Sequence, residues 1–173
     1  MQVGGYTGAF EHLGSPHAGP THAMKAIVAI LCLLLANPSF AGTWGLGQFE
    51  NDQALDLSSN WAESGSVADI RKALDAVHKA TYIDASEAVT ALVAAEVVAA
   101  SLGKPGKDLP EDLGSWIERQ PASELQALEP LARAAISRIT SSGNSELYEL
   151  WEEEDVAEWL ATVAELDARL AQP

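Results

Sequence analysis

Three carboxyl residues stand where acid–base chemistry could be built. Glu50 and Asp52 lie in the glycine-rich stretch Gly42–Asp56, "GTWGLGQFENDQALD", and Glu96 lies in the apolar stretch Tyr82–Pro105. Two carboxyl groups about 5–10 Å apart across an open cleft are the arrangement of glycoside hydrolysis. Glu96 is the most informative of the three. On a helical wheel of about 100° per residue it falls among Val89, Leu92 and Val93, with Thr90, Ala94 and Ser101 roughly opposite. A carboxylate left alone on such a face costs several kcal/mol, so Glu96 needs a partner or must give up its charge. Arg138 borders the Leu131/Ala135/Ile139 stripe and is the first expected partner. The second is a set of donors from the glycine-rich turn, either the N–H groups of Gly45–Gly47 or the indole N–H of Trp44.

Other chemistries find little footing. His78 is the one histidine after Gly42, and no Gly-x-Ser-x-Gly elbow accompanies it, so it reads as a surface helix residue rather than part of a triad. The only cysteine is Cys32, which leaves Gly42–Pro173 without a His/Cys metal set or a disulfide. An all-carboxylate site of Glu50, Asp52 and Asp56 would suit calcium or magnesium, but its spacing matches no EF-hand loop. Gly45-Leu46-Gly47 lacks the third glycine and the preceding strand of a dinucleotide fingerprint. Neither a metal nor a cofactor is therefore expected.

The elements that must position these residues are helices. Asn51 or Asp52 caps a first helix running to about Trp61. Ser66 and Asp69 form a capping-box pair before the stripe Val67, Ile70, Leu74, Val77. Asp84 and Ser86 are candidate caps of a third, mostly apolar helix, with Glu87 completing a box from Asp84, and Gly103 ends it. A short helix around Glu111–Arg119 carries Trp116. Pro130 suits a first helical turn, splitting Ser123–Thr140 into a short helix and a main one. Ser145–Glu152 opens a last helical region reaching Ala171, with Glu152, Glu153, Glu154 and Asp155 near the start of its longer half, where carboxylates suit the helix dipole. The expected fold is all-α: a compact bundle of five to seven helices. A glycine/aromatic N-terminal turn packs on it, with Trp44 and Phe49 as anchors and Gly45 and Gly47 allowing close approach.

The 173 residues carry 10 Lys+Arg against 25 Asp+Glu, a formal charge of −15. That balance argues against nucleic acid and against an anionic membrane surface. It leaves solubility, or an acidic face for a basic protein partner. Residues 24–41, "MKAIVAILCLLLANPSFA", read as a signal peptide: Lys25, an apolar run too short to span a bilayer comfortably, and small residues at Ser39 and Ala41. Residues 1–23 read as a mis-annotated or disordered leader, and 42–173 as a single helical domain, periplasmic or secreted and without stable membrane insertion after cleavage.

"GTWGLGQFENDQALD" also resembles the opening of the bacterial family known as domain of unknown function 4259. "YIDASEAVTALVAAEVVAASLGKP", "SELYELWEEE" and a Trp-containing last helix agree with it. The resemblance covers nearly all of Gly42–Pro173 and implies no activity. Trp44, Gly45, Gly47, Phe49, Glu50, Asn51, Asp52, Glu96 and Arg138 form the candidate structural or binding cluster. No catalytic residue is assigned. A non-enzymatic interaction or structural module is the favoured function, and a carboxylate-based hydrolase of the cell envelope is the alternative.

Overall fold

A computed structural model of the chain describes residues 1, 4–5 and 45–171. The signal-peptide reading of 24–41, residues 6–23 of the leader and Trp44 fall outside the described residues. From Gly45 onward the chain is all-α. Its helices are α1 (Asp52–Ser64), α2 (Val67–Lys79), α3 (Ala85–Ser101), α4 (Glu111–Glu118), α5 (Ala122–Gln126), α6 (Glu129–Ile139), α7 (Glu146–Glu152) and α8 (Val156–Ala171). Seven of these have seven residues or more, and α5 is a five-residue turn of helix.

The helix boundaries follow local chemistry. Asn51 caps α1, its side chain accepting from the Ala54 N–H at 2.8 Å. The helix runs past Trp61 to Ser64 and stops at Gly65, whose N–H returns to the Trp61 carbonyl. A Cβ on Gly65 would lie 2.8 Å from the Trp61 backbone, so only glycine lets the chain turn there. Ser66 opens α2, its N–H donating to Asp69 Oδ2 at 2.9 Å. Pro130 sits in the first turn of α6. At the end of α3, Gly103 adopts φ +80°. Its N–H reaches Ala100 and that of Lys104 reaches Ala99, the paired bonds of a Schellman ending.

The start of α3 departs from expectation. Neither the Asp84 side chain nor an Asp84–Glu87 box caps it. Glu146, from the first turn of α7, instead accepts the Ala85 N–H at 2.8 Å. The two helix starts are brought side by side by a short parallel bridge. Ile83 donates to the Asn144 carbonyl and accepts from the Glu146 N–H, each at 2.9 Å. A tertiary carboxylate thus does what the local sequence offered Asp84 to do.

α3 is the axis of the bundle. Of its 17 residues, 12 are buried, so it has no solvent face over most of its length. It packs against every other helix. Its alanines, among them Ala88, Ala91, Ala94, Ala95 and Ala99, let neighbours approach closely, and Ile70, Leu74, Leu128, Ile139, Leu166 and Leu170 fill the space around it. Trp159, itself 3% exposed, stacks on Trp151 with centroids 6.1 Å apart and meets Tyr148 edge-on at 6.3 Å.

On the outside of the same junction, the Tyr82 hydroxyl donates to Glu149 Oε2 at 2.9 Å. The hydrogen bond to Glu149, then partial desolvation, then the charges of Glu149, Glu146 and Asp84 hold this phenol above its ordinary 10.0. The folded phenol therefore ionises later than the unfolded one. What it adds to stability is whole below about pH 10 and is lost as pH climbs through the folded value. In a spectrophotometric titration Glu149→Gln brings one tyrosine back toward the ordinary range; an unchanged curve would exclude the pairing.

Candidate functional site

The glycine-rich turn is built around Glu50. Gly45 donates to the Glu50 carbonyl at 2.9 Å, Glu50 donates to the Gly47 carbonyl at 3.1 Å, and Gly47 donates to Glu50 Oε2 at 3.0 Å. A Cβ on Gly45 would fall 2.3 Å from Glu50 Oε2 and 2.4 Å from its Cβ, so the glycine is required by the folded-back glutamate side chain. The donors expected to reach Glu96 from Gly45 and Gly47 are thus spent on Glu50. The turn seats against α3 and the C-terminal helices: Gly45, Gly47 and Asn51 border a narrow gap with Val89, Leu92, Leu147 and Trp159. Phe49 is buried at the base of the turn, and Asp52 is exposed in the first turn of α1.

Glu96 projects from α3 with 2% exposure. Its partner is Arg169 of α8. The guanidinium takes both carboxylate oxygens, Nη1 to Oε2 at 2.9 Å and Nη2 to Oε1 at 2.5 Å. This is the two-pronged geometry that makes arginine–carboxylate pairs strong and directional. The same guanidinium donates to the Lys104 carbonyl at 3.0 Å and, through Nε, to Glu165 at 2.9 Å. Burial pulls the Arg169 guanidinium down, but the hydrogen bonds and charges of Glu96 and Glu165 outweigh it and hold it above the usual arginine range. It is charged at neutral pH. Gly106 closes the pair from the loop side, where a Cβ would stand 3.0 Å from Glu96 Oε2.

Arg138, the expected partner, is engaged elsewhere. Its fork donates to the carbonyls of Val77, His78 and Ala80 at 2.5–2.7 Å. It thereby caps the C-terminal end of α2, where carbonyls lack helical partners and a cation suits the dipole. Both arginines border apolar stripes, and the choice between them depends on which helix end lies opposite Glu96. Arg138→Met is expected to lose about 2–3 kcal/mol, the worth of charge-assisted bonds left unmade. Amide exchange should speed up at the end of α2, and exchange unchanged there would overturn the capping role.

Leu46–Glu50, Glu96, the Gly106–Asp108 loop and α8 (Thr162, Glu165, Arg169) line one cleft of about 260 Å³. The structure thus brings Gly47, Phe49, Glu50 and Glu96 together, and neither Asp52 nor Arg138 lines this cleft. Arg169, Glu165 and Gly106 complete the site. Sequence reasoning passed over Arg169, although it sits between Leu166 and Leu170 on an apolar stripe and four residues after Glu165, both visible in the sequence. Chemically, Glu50, Glu96 and Glu165 of the cleft are already bound by donors of the chain itself. Among the described residues, no group of three or more His, Cys, Asp or Glu is gathered to hold a metal, and no helix is long and apolar enough to cross a membrane.

No curated protein and no solved structure matches the chain. A family model does match over residues 42–162, from before the glycine-rich turn into α8, and spans every element that shapes the cleft except the last turns carrying Glu165 and Arg169. That family is described as Domain of unknown function (DUF4259), and the chain belongs to it.

Proposed function

We propose that the mature protein is an exported, non-enzymatic interaction module, acidic and helical, working in the periplasm or outside the cell. One observation carries the non-enzymatic part: both oxygens of Glu96, the buried carboxylate of the cleft, are held by Arg169. A general acid or base must exchange a proton with a reacting group. A carboxylate fixed two-pronged by a permanently charged guanidinium is built for holding elements together. Export is supported by the Lys25, apolar run and Ser39-Phe40-Ala41 series. The interaction role is supported by charge: Glu11 and Lys25 are the only charged residues before Gly42, so the whole −15 falls on the helical domain.

The hydrolase reading draws on Glu50, Asp108 and Glu165, which share the cleft with Glu96. An assay of glycan release from cell-envelope material separates the two. Turnover that disappears in Glu50→Gln would establish the hydrolase. Export is tested by N-terminal sequencing of the protein from the exported fraction. Gly42 is the expected first residue, and Met1 or Met24 on cytoplasmic protein would sink it. The interaction role is tested by affinity capture of the tagged protein followed by mass spectrometry, where a reproducible partner is expected.

A further inference from the structure

We infer that the cleft beside the glycine-rich turn receives the protein's own mature amino terminus: the ammonium that cleavage after Ala41 creates on Gly42 pairs with Glu50. The inference rests on the export reading above and gives processing a structural consequence. The charged groups that line the cleft are Glu50 from the turn, Glu96 from α3, Lys107 and Asp108 from the loop, and Glu165 and Arg169 from α8. Four carboxylates thus face two cations, and both cations are taken. Arg169 holds Glu96 through both oxygens and Glu165 at 2.9 Å. Lys107 lies 4.0 Å from Asp108. Glu50 alone of the four has no cationic partner among the described residues. Its Oε2 accepts the neutral Gly47 N–H, and a carboxylate has room for further donors on both oxygens.

Chain geometry supplies the missing cation. A Cβ on Gly45 would fall 2.3 Å from Glu50 Oε2, so the carboxylate lies against the Gly45 backbone. Gly42 is three residues before Gly45. Three residues span at most about 11 Å, so the Gly42 nitrogen is tethered within reach of Glu50. Gly42 also opens the compact unit that ends at Pro173, the unit that contains the cleft. In the precursor that nitrogen is an uncharged amide. Hydrolysis of the Ala41–Gly42 bond consumes one water, leaves a carboxylate on Ala41 and frees the Gly42 amine, which is protonated below about pH 7.7–8.0. The pair therefore belongs to the processed chain and is absent from the precursor. A lysine of another protein, or the terminus of a second copy, meets Glu50 only at its solution concentration. The tethered ammonium acts at an effective concentration on the order of mM, which favours it over either.

The experiment purifies the protein from the exported fraction, reads its first residue by sequencing, and tags its α-amino group with isotope-labelled methyl groups, which keep the charge. NMR then follows the group through a pH titration, with the urea-unfolded protein as reference. The folded amine is expected to titrate about one unit higher than the unfolded one, the effect of an opposite charge close by. Glu50→Gln keeps an acceptor for the Gly47 N–H and is expected to return the amine to the unfolded value. Asp52→Asn, at an exposed carboxylate outside the cleft, is expected to leave the shift in place. Circular dichroism checks that both variants are folded. A chain that begins at Gly42 but titrates like the reference overturns the pair and leaves export standing. A shift that survives Glu50→Gln overturns Glu50 as the partner. A shift that fades on dilution belongs to the terminus of a second copy and overturns the tethered pair. A first residue other than Gly42 overturns the export reading and the pair together.

Discussion

Replacing Arg169 by alanine is expected to cost about 3–5 kcal/mol of folding stability, the penalty for leaving one member of a buried pair uncompensated. The size follows from where the charges sit. Glu96 is 2% exposed, and among the described residues its two oxygens are satisfied by Arg169. Removing the arginine leaves a buried carboxylate without the donors that hold both its oxygens. The reverse substitution is expected to cost less. In Glu96→Ala the guanidinium keeps Glu165 and the Lys104 carbonyl as acceptors and lies closer to solvent. Replacing both residues by leucine should recover much of the loss, since apolar groups of similar volume often substitute well for a buried pair. Urea unfolding of the four proteins measures the series. An Arg169→Ala protein within about 0.5 kcal/mol of the parent, the usual range for surface changes, would show that Glu96 does not depend on it. A Glu96→Ala protein of unchanged stability but lost partner binding would move Glu96 from clamp to contact residue.

Trp159→Ala is the second large effect, expected at about 3–5 kcal/mol for deleting a buried tryptophan from a packed site. Trp159 joins three things: the Trp151 ring stacked on it, Tyr148 edge-on to it, and the gap that seats the glycine-rich turn. Its loss should therefore act in two places. Near-ultraviolet circular dichroism should fall as the Trp151 stacking geometry is released. Amide exchange at Gly45 and Gly47 should accelerate, because the turn loses part of what it rests on. Trp159→Phe keeps a ring and should cost less on both counts. Destabilisation with unchanged exchange in the turn would show that the turn is held by α3 alone.

Much of this architecture is legible from short-range chemistry. Asn51, Ser66, Pro130 and Gly103 announce their helix ends because capping, a fixed φ and a positive φ are properties of a few neighbouring residues. The apolar composition of Tyr82–Pro105 places the central helix, and Glu96, its one buried carboxylate, marks the spot that must be compensated. What is not legible is long-range. A helix that is apolar on all sides offers no direction from which to choose the neighbour of Glu96, so a wheel cannot separate Arg138 from Arg169. The cap of α3 is supplied by Glu146, 61 residues away, and no local rule points to it. Glu50 is legible as a carboxyl residue of the glycine-rich stretch. That the turn would wrap around its side chain is visible only once the missing Cβ of Gly45 is placed in space.

The pairing of Glu96 with Arg169 also sets a clock on synthesis. The two residues are 73 positions apart, which at about 5–20 residues per second corresponds to about 4–15 s of translation. Throughout that interval the central helix carries a carboxylate whose guanidinium does not yet exist. Closing the apolar core around α3 before then would bury a bare charge, so the early helices gain little by committing to their final packing. Were the chain exported unfolded, as proposed above, such a delay would keep that route open until most of the polypeptide has been made.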